Sequence, residues 1–318
     1  MKATGSAGLP ARVTLNVFPG GFNWPVWVAQ DLGLFARHGV AVELETTPGS
    51  VAQWTSLAEG RAQLAITLAD NVVAYREGQG EADVVVDDAV ALMTLDTRAM
   101  PTLVTRPDVR SYADLRGGTL SVDAVKTGYA LVLVSMLEHG GLSPADYRLE
   151  RVGGVAQRFA AMQQQVHAGS LFNSPVEGLL IRAGFNPLDT ARSIAPRYQG
   201  QVVAARRGWA VSHRDVVVGV LRALHQAVAW LYDPAHRAEG FAVYARHMPD
   251  APPDAPATAH AVLFDATTGI PRDGAIDLDG LAAVLAMRAR HGRPARPLSD
   301  PATYTDPTFL AQALAAPG

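Results

Sequence analysis

The chain contains no cysteine, which removes disulfides, thiolate nucleophiles, iron–sulfur clusters and cysteine-held zinc together. No uninterrupted apolar run is long enough to cross a bilayer. A broad basic surface is missing too: 27 Lys and Arg face 30 Asp and Glu, a formal net charge of -3, and the five Trp and nine Phe are not interleaved with cations. Nucleic acid is therefore not an expected partner. No G-x-S-x-G, phosphate-binding loop or G-x-G-x-x-G follows a strand-like run, so serine hydrolysis, nucleotide hydrolysis and dinucleotide binding lose their usual signatures. The nine histidines are scattered, with no H-x-x-x-H or H-E-x-x-H pair, so neither a metal nor a cofactor is expected.

What is present is a foldable chain of 318 residues, 48% hydrophobic and 18% charged, long enough for two lobes with a core each. Residues 12–17 alternate as a strand does. They run into Phe18-Pro19-Gly20-Gly21-Phe22-Asn23-Trp24-Pro25, and apolar residues then recur at helical spacing over 26–37. A strand that stops at a Gly-Gly turn and hands over to a helix leaves free backbone N–H groups at the carboxyl edge of a sheet, where open α/β folds place ligands. Strand 40–46, a helix from Ser50 to Gly60, strand 64–68 and a helix opening at Ala69-Asp70-Asn71 continue the pattern, which predicts a parallel sheet with right-handed crossovers.

Strands are expected at 83–87, 89–95 and 102–105, crossing to a second set of units: strand 119–122, polar loop 123–128, helix 129–139, strand 147–152, helix 156–167, strand 171–172 and helix 176–183. A return strand is expected at 201–205, then the amphipathic helix 213–232 and a shorter helix at 238–245. Pro249–Pro256, with four prolines in eight residues, reads as an exposed connection, and 281–290 as a late helix. The predicted architecture is α/β, with one lobe from 12–100 plus about 201–318 and a second from 101–200.

If the lobes face each other, loops 18–25, 67–71, 95–98, 123–129 and 172–175 meet. Candidate contacts there are Gly20, Gly21, Phe22, Asn23, Trp24, Thr67, Asp70, Asn71, Asp96, Asp123, Lys126, Thr127, Gly128, Tyr129, Asn173 and Ser174. Phe22 and Trp24 either stack on a flat or cationic ligand or close the top of the lobe core. Lys126 is an anion clamp or a solvated lysine. Asp70-Asn71 is a ligand contact or a helix cap. Asp96 and Asp123 bind an amine or hold an arginine such as Arg98. No residue is assigned a catalytic role.

Several segments resemble one family. Trp24 to Val40, containing Ala29-Gln30-Asp31-Leu32-Gly33-Leu34-Phe35, resembles the opening of ABC-transporter substrate-binding proteins for nitrate, sulfonates, taurine and thiamine precursors. Leu57 to Ile66 is similar to their L-x-x-G-x-x-D-x-A stretch, with Gln63 where Asp is usual, and Tyr112 to Leu120 to their D-L-K-G-K-x-I-x-V segment. The similarity spans roughly 12–230; Phe172-Asn173-Ser174-Pro175 departs from the Asp-Ala usual there. The resemblance implies a two-lobed type II periplasmic binding fold with a ligand cleft between the lobes. It also implies a monomer that captures a small organic molecule, aromatic or bearing a sulfonate or carboxylate, for a permease and its ATPase. The first ten residues lack the apolar core of a secretory signal. A periplasmic location is expected if a signal was removed, a cytoplasmic one if Met1 is the native start. The same scaffold carries enzymes, so a cytoplasmic non-thiol enzyme of lyase, decarboxylase or pyrimidine-precursor synthase type is the alternative.

Overall fold

The computed structural model describes residues 10–97, 100–173, 176–298 and 300–315. Among the described residues ten strands form two mixed sheets of five. The first has the order β2-β1-β3-β10-β4, built from β1 Ala11–Val17, β2 Val40–Thr46, β3 Leu64–Leu68, β4 Ala89–Thr94 and β10 Gln201–Arg206. The second has the order β7-β6-β8-β5-β9, from β5 Thr102–Thr105, β6 Thr119–Val122, β7 Arg148–Arg151, β8 Gly169–Phe172 and β9 Asn186–Thr190. In each sheet four strands run the same way, and the strand arriving from the other sheet, β10 or β5, lies antiparallel between two of them. Parallel strands joined by helical crossovers all end on one side. A strand entering from that side starts where they end, so it runs against them.

Helices cover both faces of the first sheet, which is why β3, β4 and β10 are almost wholly buried. On one face the helix Arg214–Tyr232 lays Val217, Val220, Leu221, Leu224, Val228 and Leu231 against Leu15, Val17, Ile66 and Leu92. On the other, a second apolar cluster continues from Val72 and Tyr75 through Val132 and Met136 to Leu120, so it belongs to both lobes. The helix Leu278–His291 contributes Leu281, Val284 and Leu285 to it and packs on both Ala69–Arg76 and Gly128–His139.

At the centre of that junction Arg288 is fully buried. Its Nε donates to Asp70 Oδ1 at 2.6 Å and its Nη2 to Asp70 Oδ2 at 2.5 Å, while Nη2 also reaches the Lys126 carbonyl at 2.8 Å. One guanidinium thus ties the first lobe to the loop that follows β6 in the second. Gly128 is needed beside it: a Cβ there would stand 2.7 Å from Asp70 Cβ and from the Tyr198 hydroxyl.

The two connections between the sheets are joined by Asp96, just past β4. Its carboxyl lies against the backbone N–H groups of Gln201, Thr97 and Gly200, and a Cβ at Gly200 would fall 1.6 Å from Oδ2. Burial outweighs those N–H groups and pushes the Asp96 pKa up to about 7.

Several expectations are corrected. Residues 83–87 form no strand; Val85 is 79% exposed and the run sits in a loop tied by the Ala82 N–H to Tyr75 Oη. The helix expected over 26–37 starts at Trp24 and breaks at Gly33, whose φ of 65° is left-handed, before Leu34–Arg37. The helix expected to reach His167 ends at Gln163. Strand β9 is absent from the sequence reading because Pro187 argues against a strand; as an edge strand with a register shift opposite Val104 it tolerates one. Residues 255–263 form a helix that the prolines before it obscured.

Two outcomes follow from these junctions. Arg288→Met leaves Asp70 charged and buried without its partner, and should cost about 3–5 kcal/mol in urea or thermal unfolding, with Asp70→Leu/Arg288→Leu recovering much of it; a variant as stable as the parent would refute the role given to the pair. For Asp96, the unfolded carboxyl releases its proton near pH 4 and the folded one near 7, so the folded state holds the extra proton between them and stability falls as pH rises through that window. Asp96→Asn imitates the protonated form. The stability of the variant relative to the parent should therefore rise from pH 4 to 7 and then level off, and parallel unfolding curves across that range would contradict the assignment.

Candidate ligand cleft

Both sets of parallel strands end at a cavity of about 670 Å³ between the lobes. On the first-lobe side β1 opens into Phe18-Pro19-Gly20-Gly21-Phe22, all on the cavity wall. The glycine pair is there for two aromatic rings. A Cβ on Gly20, whose φ is 156°, would lie 2.4 Å from Phe22 Cε1, and one on Gly21 would lie 2.3 Å from the Tyr244 hydroxyl. Asn23 and Trp24, expected as contacts, are not on the wall but brace it from behind. Asn23 Nδ2 donates to the Phe18 carbonyl at 2.6 Å. The Trp24 indole is fully buried, donates to the Gly240 carbonyl at 3.2 Å and packs edge-on against Tyr244 and Phe264. Of the two readings of Trp24, closing the lobe core is the one the structure shows.

Next on the first-lobe wall come Leu68, Asn71, Leu95 and Asp96. Thr67 is buried behind Asn71 and accepts a 2.9 Å bond from its Nδ2, which orients that side chain. Asp70, read as a contact or a cap, is neither: its carboxylate is spent on Arg288.

From the second lobe, Asp123, Thr127, Tyr129 and Asn173 reach the wall. Asp123 Oδ2 accepts from Ser50 Oγ at 2.6 Å, a hydrogen bond that crosses from one lobe to the other. Thr127 Oγ1 is turned back to the Ala124 carbonyl at 2.8 Å. The Tyr129 hydroxyl accepts from Asn173 Nδ2 at 2.8 Å; burial, with the charge of Asp96 next, raises its pKa. Gly128 sits behind the wall against Asp70. Lys126 is not the anion clamp expected of it. Its side chain is exposed and off the wall, while its backbone N–H donates to Glu81 Oε2 and its carbonyl accepts from Arg288. Ser174, like Arg98, lies outside the described residues.

Sequence reasoning missed three parts of the cavity. The proline-rich connection is not simply exposed: Pro249, Ala251, Pro252 and Ala255 form a wall that continues to Leu263. His247 stands on the same side, stacked on Trp27 at 5.0 Å with Nε2 3.0 Å from Asp31 Oδ1. Arg158 is the third. It follows Gly153-Gly154, a second Gly-Gly turn after a strand, and that repetition of the β1 ending was the available signal. The residue as a whole is 5% exposed. Nε donates to the Gly153 carbonyl at 3.2 Å, and Nη1 to Ser170 Oγ at 3.1 Å and the Leu171 carbonyl at 2.7 Å. Burial pulls its pKa down, opposed by the more distant charge of Asp123.

The wall is apolar over much of both lobes. Phe18, Phe22, Leu95, Leu263 and the proline segment line it from the first, Leu133, Phe159, Phe172 and Leu179 from the second, and Ser121, Asp123, Arg158 and Asn173 stand among the latter. Such an arrangement encloses a small organic molecule, orients it by a few polar groups and desolvates the rest.

Solved structures of distant sequence share this fold. The periplasmic nitrate-binding protein NrtA from Synechocystis PCC 6803 matches with a TM-score of 0.77 at 14% identity, covering 97% of this chain and 90% of that one. The periplasmic aliphatic sulphonate binding protein SsuA from Escherichia coli gives a TM-score of 0.68 at 17% identity, with coverage of 93% and 97%. The desulfurization enzyme DSZB shares the fold as well, with a TM-score of 0.64 at 15% identity and coverage of 95% and 99%. No curated protein matches the sequence. The family model described as NMT1/THI5 like matches residues 23–238, more than half of the chain, and the protein belongs to that family.

Proposed function

We propose that this protein is a solute-binding protein that captures a small organic molecule between its lobes and delivers it to an ABC-type permease with its ATPase. The observation that carries the reading is the cavity of about 670 Å³, walled from both lobes and large enough to enclose an organic solute. The lobes, 12–100 with about 201–318 and 101–200, act as the two jaws. Their connections at Asp96 and Gly200 lie beside the cavity, where a small change in backbone angles alters its opening. The nitrate- and sulphonate-binding neighbours suggest the same use of the fold, and a periplasmic site of action goes with it. The reading needs no chemical step.

One observation favours a second reading, an enzyme on the same scaffold: His247, held by Asp31, stands on the cavity wall, and a desulfurization enzyme has this fold. A single experiment separates the two. The purified chain is melted with aromatic acids, alkyl sulfonates, pyrimidines and amines, and every stabilising compound is recovered and weighed by mass spectrometry. Capture predicts a rise in melting temperature from a compound recovered unchanged, corresponding to about 2.7 kcal/mol when its concentration is a hundred times Kd. Recovery of an altered compound would overturn the proposal in favour of the enzyme.

A further inference from the structure

The charged groups inside the cavity are already engaged by the protein. Among the described residues, Asp123 accepts from Ser50 Oγ at 2.6 Å, and Arg158 donates to the oxygens of Gly153, Ser170 and Leu171. His247 Nε2 lies 3.0 Å from Asp31 Oδ1, and the Asp96 carboxyl faces the backbone N–H groups of Gln201, Thr97 and Gly200. Asp123 and Arg158 also offset each other, the charge of the first sustaining that of the second. The other charged wall residues, Arg182, Asp250 and Asp254, are exposed, which puts them at the mouth. A charge carried inside would shed its hydration and meet no free counter-charge.

The apolar surface is in the opposite state. Phe18, Phe22 and Met248 from the first lobe and Phe159, Val176 and Leu179 from the second line the cavity, and all six are only half-buried. Phe22 and Met248 rest on the first-lobe core, Phe159 and Val176 on the small cluster around Met162 and Phe172, so each is supported from behind and keeps surface toward the cavity. Apolar faces of this kind mark the place of a partner or ligand. Here they come from both jaws around a cavity of about 670 Å³. A small ion would leave them uncovered on closure, whereas a hydrocarbon body covers both at once.

We infer that the cavity takes an uncharged, chiefly hydrocarbon solute, a long-chain or fused-ring alcohol or ketone, gripped by apolar side chains of both jaws. The inference rests on the solute-capture reading and gives it a ligand class. That class departs from the sulfonate- or carboxylate-bearing solute expected from the sequence, because recognition here is by apolar area and not by a charged head group. Met248, unbranched and flexible, suits a wall that settles on such a body.

Displacement of the neutral fluorescent dye phenylnaphthylamine tests the assignment, with butanol, hexanol, octanol, decanol, decanoate, decanesulfonate, a steroid ketone and inorganic sulfate as competitors and native mass spectrometry counting solute per chain. Alkanol affinity should rise about fourfold per added methylene, the worth of a buried CH2 group, at one solute per chain. Decanol should bind about tenfold or more tighter than decanoate and decanesulfonate, and sulfate should displace nothing. Leu179→Asp and Met248→Asp, one in each jaw, should each weaken decanol about tenfold or more. Should they fail to fold, judged by melting without solute, Leu179→Trp decides: it narrows the cavity without adding charge, and should end the gain at a shorter alkanol. No gain with chain length, decanoate or decanesulfonate binding as tightly as decanol, unchanged decanol affinity in the aspartate variants, or no binding of dye, alkanol or ketone overturns the inference. An anion bound at one per chain and recovered unchanged, with the alkanols excluded, would overturn the ligand class and keep solute capture. An alkanol or ketone bound with the expected gain and recovered altered would keep the ligand class and overturn solute capture.

Discussion

The ion pair between Asp70 and Arg288, with the Lys126 carbonyl as a third partner, is the interaction on which the relation of the two lobes depends. Each group is expensive to bury alone, and each is fully used here: two nitrogens of Arg288 meet both oxygens of Asp70, and the bond to Lys126 comes from one of those nitrogens. Coulombic attraction to Asp70 holds the arginine charged against its desolvation. The pair fixes the loop after β6, and that loop carries Asp123, Thr127 and Tyr129 to the cavity. An interaction behind the wall thereby sets the position of the wall.

This explains a weakness of reading the site from sequence. Asp70, Gly128 and Lys126 look like contacts because they stand in the right loops, and those loops do meet at the cavity. Inside each loop, however, a polar residue is assigned to ligand or scaffold by which partner is nearer in space. The partner of Asp70 is 218 positions away in a helix whose arginine, seen alone, is one of several cations in Met287-Arg288-Ala289-Arg290. Arg158 was hidden for the converse reason: on a short amphipathic helix an arginine reads as solvated, and only the oxygens of Gly153, Ser170 and Leu171 show it to be buried.

The fold was far more legible, because it rests on local periodicity and not on pairing. The βαβ order and the long helix Arg214–Tyr232 are plain from spacing alone. The elements that escaped are those in which Pro or Gly overrides the pattern: β9 around Pro187, the helix after Pro252-Pro253, and the break at Gly33. Residues 83–87 erred the other way. Three consecutive valines have the composition of a strand, but a strand needs a neighbour; here Val84 and Val86 pack into the second apolar cluster while Val85 stays exposed, and the run remains a loop.

The same distinction bears on how the cavity is built. The first lobe brings apolar surface to it from the Gly-Gly turn of β1 and from the segment 248–263, which is packed on the aromatic cluster of Trp24, Tyr244 and Phe264. The second lobe adds apolar side chains, Leu133, Phe159 and Phe172 among them, and polar groups at strand ends and on the helix beginning at Val155 that are held by hydrogen bonds. Directional contacts need fixed geometry before a ligand arrives, whereas apolar burial adapts and grows with area as jaws approach. Under the proposed function the fixed polar groups of the second lobe would orient the solute, and apolar side chains of both lobes would desolvate it as the jaws approach. Among the described residues, the one hydrogen bond spanning the cavity wall between side chains of the two lobes, Ser50 to Asp123, stands at the seam where the lobes meet. That bond commits the Asp123 carboxylate to the first lobe, so among the described residues Arg158 has the neutral oxygens of Gly153, Ser170 and Leu171 as its hydrogen-bond partners.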